Sequence, residues 1–319
     1  MPIKKIRFLF LPLVYALLLF ACSNGVTHHN YIAYGYGTIW DVHLYEGTSQ
    51  ECEQLARDIN ESSRYFDVTE TGMIEGGLNK LNQTNDYVTL DPMVIEALRK
   101  AEAIRVETEG AYDYRLGDLV DAWLSCLEEG KLLDESTRIS LLEKALATSV
   151  AINGNQAKRN GEGKIDLGGL AKGYCCQKLK ETLDSKGYSK YLVNGGTSSL
   201  LIGEKGSGDG TVRVIMSDAE EETSFHAKNA SVSCSSVNRQ HYEIGGITYS
   251  HIIDPCSGLA LSKYRAVYLL GDDPCALDAY STAAMVRDLD FAEFLEGKGI
   301  KAAYVKDGSV IYASEGFLD

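Results

Sequence analysis

Up to about residue 160 the apolar positions recur mostly at helical spacing, whereas from Ile165 onward they gather in short β-rich runs broken by glycine. Tyr31 to Tyr45 mixes Ile, Trp, Val and Leu with aromatics and predicts a strand or hairpin; Thr48 to Asn60 predicts a helix. At Asp91-Pro92 a capping carboxylate precedes a proline suited to a first helical turn, and Val94, Ala97, Leu98, Ala101 and Ile104 then share one face. A polar-rich helix is predicted over Asp134 to Ala147. Strands are expected over Tyr191–Val193, Val212–Met216, Thr248–Ile253 and Tyr264–Leu270, with helices over Leu170–Leu183 and Ala276–Val286. No internal repeat or low-complexity linker interrupts the pattern and only five prolines occur, which predicts a single α+β catalytic unit.

The N-terminus stands apart. Lys4, Lys5 and Arg7 precede an uncharged, mostly apolar run from Phe8 to Ala21, shorter than the roughly 20 residues that span a bilayer. This is the form of a secretion signal. It ends in Leu19-Phe20-Ala21-Cys22, similar to a bacterial lipobox in which Cys22 is lipidated and becomes the new N-terminus; Phe20 departs from the usual pattern. The expected layout is a signal peptide over 1–22, a tether over 23–30 reaching about 15 Å, and a catalytic domain over 31–319. The expected location is the bacterial cell envelope, with the chain lipid-anchored on the outer side of the cytoplasmic membrane. A plain signal anchor with an incidental cysteine is the alternative.

With 45% hydrophobic and 24% charged residues the chain can bury a full core. Its net charge of −14 leaves no Lys and Arg surplus for phosphate backbones, which excludes a nucleic-acid binder. The cysteines after Cys22 are odd in number and match no paired zinc spacing, which argues against a disulfide framework.

Four segments carry candidate chemistry. Lys164 to Tyr174 runs from a strand-like start through Gly168 and Gly169 into a helix, where backbone can approach a phosphate closely; a tight strand-to-helix turn has the same signature. Asp278 and Thr282, four apart on a predicted helix, share a face and suit a hard cation such as Mg²⁺, unless Thr282 only bonds its own preceding carbonyl. A strand over Tyr249–Ile253 delivers His251 and then Asp254 before Pro255 and Gly258 turn the chain; His251 could deprotonate a hydroxyl, or simply sit on a strand face. After a helix ending at Gly110, Tyr112, Tyr114 and Trp123 could wall a flat heterocycle or belong to the core. His28 and His29 fall in the tether and read as inert, and His43, His226 and His241 as strand-face or surface residues.

Together, in this order, the segments resemble the ApbE-type FAD:protein FMN transferases. The resemblance rests on Gly37-Thr38-Ile39-Trp40, Gly110-Ala111-Tyr112-Asp113, the Asp166 to Tyr174 signature, Asn194-Gly195-Gly196, His251 to Pro255 and Asp278 to Thr282. It implies a T-fold-like unit of mixed and antiparallel sheets with packed helices. It implies a Mg²⁺ site from the Gly169 carbonyl and the Asp278 and Thr282 side chains, and a FAD site lined by Ala111, Tyr112, Asp113, Asp166 and Lys172. FMN would pass from FAD to a Ser or Thr hydroxyl of an acceptor flavoprotein, releasing AMP, with His251 as candidate base and Asp254 orienting it or holding the turn. The chain departs from the family pattern at Gly76-Gly77, where a Ser is expected, at Cys234-Ser235-Ser236 for Thr-Ser-Gly, and at Cys256-Ser257-Gly258 for Arg-Thr-Gly. Because water can also attack a metal-bound pyrophosphate, a Mg²⁺-dependent FAD diphosphatase is a competing function, and the altered segments at Cys234 and Cys256 leave a non-catalytic FAD-binding lipoprotein as another.

Overall fold

A computed structural model describes residues 27–69, 74–196, 198–239 and 241–318. The expected signal peptide, Cys22 and the first part of the tether lie outside these residues. Among the described residues no helix is long and apolar enough to cross a membrane.

The chain opens with strands β1 (His29–Gly35) and β2 (Thr38–Leu44), helices α1 (Ser49–Phe66) and α2 (Asn79–Asn82), strand β3 (Val88–Thr89) and helix α3 (Pro92–Glu107). Helices α4 (Gly117–Glu128) and α5 (Glu135–Leu146) follow, then strands β4 (Ser149–Asn153) and β5 (Gln156–Asn160) and helix α6 (Ala171–Ser185). Next come β6 (Tyr191–Gly195), β7 (Ser199–Ile202), β8 (Val212–Ile215), β9 (Ser224–Ala227), β10 (Ala230–Ser236), β11 (His241–Ile244) and β12 (Ile247–Ser250). Strand β13 (Ala266–Gly271), helices α7 (Pro274–Ala284) and α8 (Phe291–Gly297), and strands β14 (Lys301–Lys306) and β15 (Ser309–Ala313) complete it.

Eight strands form an antiparallel sheet in the order β1-β2-β6-β7-β10-β13-β14-β15. Period-two alternation sorts β10 between its faces: Ser233 and Ser235 turn to α7, while Val232 and Cys234 join an apolar cluster with Phe225 and Phe317. A second cluster packs α3, α6, α7 and α8 around Leu98, Tyr174, Leu277 and Leu295, among others. Helices α6 and α7 touch closely because Gly173 lacks a Cβ, which would lie 2.2 Å from the Pro274 carbonyl oxygen.

The α+β class and the single unit are as the periodicity predicts. Thr48 and Asp134 cap α1 and α5, and Asp91 caps α3 through the Met93 N–H. Several boundaries differ. Strand β1 already starts at His29, inside the expected tether, because His28 stacks on His43 and Tyr45. His43 is part of a cluster, bonded to His28 at 2.9 Å and paired with Asp41 at 3.0 Å. Strand β12 ends at Ser250, so His251 stands in the loop that follows rather than on a strand. The segment after Gly110 becomes α4, where Trp123 stacks on Tyr249 and donates to the Gly258 carbonyl at 2.8 Å. Tyr114 is likewise core, its hydroxyl on Glu102 at 3.0 Å. Both rings are thus buried in the core. The described cysteines, Cys52 through Cys275, are all free.

Candidate active site

A cavity of about 360 Å³ opens where the N-terminus of α6, the middle of α7, the end of β10 and the loop after β12 converge. It gathers residues far apart in the chain: Ala111, Tyr112 and Asp113, then Asp166, Gly169 and Lys172, and finally His251, Asp278 and Thr282. A second cavity of about 540 Å³ adjoins it at Tyr36, Gly168 and Lys172. Lys172 therefore lines both.

The position of Asp166 is set by backbone. Asn82 clasps Ile165 with both ends of its amide, donating to the Ile165 carbonyl and accepting from its N–H, each at 2.8 Å. Asp166 N–H donates to the Tyr114 carbonyl, and the Asp166 carboxylate accepts from Gly168 N–H at 2.8 Å. Burial pushes its carboxyl above the ordinary value, against the opposing pull of the Gly168 N–H.

Asp278 is buried on α7. One carboxylate oxygen accepts from Gly173 N–H at 2.9 Å and the other lies 3.5 Å from Ser233 Oγ. Among the described residues no lysine or arginine pairs with it. Thr282 sits one turn on, its hydroxyl 3.2 Å from the Asp278 carbonyl and 3.4 Å from Ser235 Oγ. Thr282 thus does make the local helix bond, yet it also faces the glycine turn: a Cβ on Gly169 would lie 3.1 Å from Thr282 Oγ1 and 3.4 Å from the Tyr112 ring. A carboxylate, a hydroxyl and the Gly169 backbone are in this way brought to one wall, an all-oxygen set of the kind a hard cation takes. Among the described residues no group of three or more His, Cys, Asp or Glu could hold a metal.

Tyr112 is fully enclosed and its hydroxyl has no hydrogen-bond partner. Burial pushes its phenol well above the ordinary value, so it stays a donor. Asp113 lines the cavity as expected, and its carboxylate is engaged twice by Arg115, at 2.6 and 2.8 Å, while Arg115 also bonds the Thr148 carbonyl. Asp254 does not line the cavity; its carboxylate accepts from Cys256 N–H and the Ser257 hydroxyl and holds the turn.

Two contributors escaped the sequence reading. Tyr36 forms the β1–β2 turn at φ 53°, a left-handed conformation that a bulky residue rarely adopts, and its ring borders both cavities. The Tyr-Gly pair between two alternating runs was the available signal. Ser233, Ser235 and Ser281 form a hydroxyl row beneath Asp278 and Thr282; serine on a strand face gives no sign of whether it is buried.

Over 281 residues the chain is 23% identical to the FAD:protein FMN transferase of Buchnera aphidicola, covering 81% of this chain and 80% of that protein. With the enzyme of that name from Klebsiella pneumoniae it shares 24% over 302 residues, covering 88% and 83%. The fold is similar to that of the Thermotoga maritima ApbE protein, with TM-score 0.80 and 21% identity over 91% of this chain and 98% of that one. The flavin transferase ApbE of Vibrio cholerae gives TM-score 0.74 and 19% identity, over 92% and 99%. Residues 36–311 match the ApbE family model, and the chain belongs to the ApbE family.

Proposed function

We propose that the protein is a Mg²⁺-dependent FAD:protein FMN transferase that moves FMN from FAD to a Ser or Thr hydroxyl of an acceptor flavoprotein and releases AMP. The observation that carries this reading is the convergence of Asp278, Thr282 and Gly169 on one wall of a cavity that also presents Asp166, Lys172 and His251. The donor set fits the ion. It offers a buried carboxylate without a basic partner, a hydroxyl and a backbone carbonyl, and Mg²⁺ takes oxygen ligands with few protein carboxylates. Bound there, Mg²⁺ would neutralise the FAD pyrophosphate and offset charge on the departing AMP.

The chain's own groups supply the rest. Lys172, on the first turn of α6, faces the phosphates; Asp166 hydrogen-bonds the nucleotide and Tyr112 lines the site. His251 accepts the proton of the attacking acceptor hydroxyl, and Asp254 serves by holding the turn behind it. At its N-terminus the protein is proposed to be lipid-anchored through Cys22 on the outer side of the bacterial cytoplasmic membrane. Loss of a lipid-sized mass in Cys22→Ser, read by mass spectrometry, tests that anchor.

Intact-mass spectrometry of a candidate acceptor after incubation with protein, FAD and Mg²⁺ tests the activity. An added FMN supports transfer. AMP release at the same rate without acceptor, and no mass gain with it, would instead identify a FAD diphosphatase, and bound FAD with no AMP a non-catalytic holder.

A further inference from the structure

Three serine hydroxyls lie behind Asp278 and Thr282, and counting their hydrogens fixes which way each one donates. Ser281 Oγ is 2.9 Å from the Asp278 carbonyl, which can only accept, so the single hydrogen of Ser281 is spent there. Ser233 Oγ lies 3.2 Å and Ser235 Oγ 2.8 Å from the same Ser281 oxygen. With its hydrogen committed, Ser281 meets both through its lone pairs, and Ser233 and Ser235 are therefore the donors. Ser281 and Ser233 are buried, where an unmade hydrogen bond is costly, so the pattern is held firmly.

The consequence falls on the two proposed cation ligands. Ser233 Oγ is also 3.5 Å from Asp278 Oδ1, and Ser235 Oγ is also 3.4 Å from Thr282 Oγ1. These are the longer contacts of each serine, and the hydrogens go to the nearer Ser281. Thr282 directs its own hydrogen to the Asp278 carbonyl at 3.2 Å. Asp278 Oδ2 is taken by the Gly173 N–H, whereas Oδ1 has only the 3.5 Å contact with Ser233. One carboxylate oxygen and the Thr282 oxygen thus keep lone pairs for the cavity that both residues line. A hydroxyl hydrogen on either oxygen would compete with a hard cation for those lone pairs.

Building on the cation site proposed above, we infer that Ser281 is its positioning residue: it draws the hydrogens of Ser233 and Ser235 away from the cavity and leaves Asp278 and Thr282 open to Mg²⁺. In Ser281→Ala both serines lose their acceptor and turn their hydrogens to Asp278 Oδ1 and Thr282 Oγ1. Calorimetric titration of Mg²⁺ into the FAD-loaded protein compares the parent, Ser281→Ala and the triple variant Ser233→Ala/Ser235→Ala/Ser281→Ala. Mg²⁺ binding is expected to weaken about fivefold in Ser281→Ala, the scale of one competing hydrogen bond, and to return to within about twofold of the parent in the triple variant, where no serine hydroxyl remains to compete. The double variant Ser233→Ala/Ser281→Ala, with one fewer buried change, is expected to recover part of the affinity. A purely structural role would move the multiple variants further from the parent, since they remove more buried groups. Equal Mg²⁺ affinity in the parent and Ser281→Ala, or multiple variants no tighter than the single one, overturns the inference alone. Absence of Mg²⁺ binding in the parent overturns the cation site itself and the role of Ser281 with it.

Discussion

Gly173 and Asp278 are joined across the contact of α6 and α7, the Gly173 N–H donating to the Asp278 carboxylate at 2.9 Å. One hydrogen bond therefore fixes the proposed acidic ligand to the helix that carries Lys172, and the absent side chain at Gly173 is what lets the two helices approach. Gly173→Ala places a methyl 2.2 Å from the Pro274 oxygen and 2.6 Å from Asp278 Cβ. The expected loss is about 1–3 kcal/mol in urea denaturation, as for other overpacked sites, with turnover reduced further. Unchanged stability would show that the helices can separate freely.

Asp218, buried behind β10, accepts from Ser236 at 2.5 Å, Asn238 at 2.8 Å and Tyr268 at 2.5 Å. Asp218→Ala leaves buried hydroxyls without an acceptor, a cost of about 1–3 kcal/mol for each group stranded. Because Ser236 borders the reaction cavity, FAD affinity is expected to fall in the same variant. A calorimetric melt and a FAD titration check both; a destabilised protein with unaltered FAD affinity would detach Asp218 from the site.

Glu51 closes the capping box of α1 and ties it to Lys186 and Tyr188 after α6. The Lys186 ammonium, then the Thr48 and Tyr188 hydroxyls, pull its carboxyl down from 4.5 to about 2. A depressed carboxyl stabilises the fold in full above its unfolded value and loses that contribution as pH falls between about 4.5 and 2. Glu51→Gln is therefore expected to melt below the parent at pH 7, with the gap closing toward pH 2. A gap that is constant with pH would assign the effect to packing.

Much of this architecture was legible in the sequence for identifiable reasons. Thr48, Asp91 and Asp134 announce helix starts through their own side-chain chemistry, and the four-residue spacing of Asp278 and Thr282 places them on one face of α7. Strand β10 was not legible, because Ser231, Ser233 and Ser236 are buried by partners that lie far along the chain. Asp113 and Asp254 illustrate the same limit within the site. Each lies in a recognisable motif, yet Arg115 and the Cys256–Ser257 turn, respectively, decide what its carboxylate can still do.

The claim on which the account turns is that Asp278 supplies the one acidic ligand to the cation. Isothermal titration of Mg²⁺ into the FAD-loaded protein, compared with Asp278→Asn, tests it directly, since asparagine keeps an acceptor for Gly173 N–H while removing the charge. Saturable binding is expected in the parent and at least about tenfold weaker binding in the variant, about 1.4 kcal/mol, with an unchanged circular-dichroism spectrum. Equal Mg²⁺ affinity in the two proteins would contradict it.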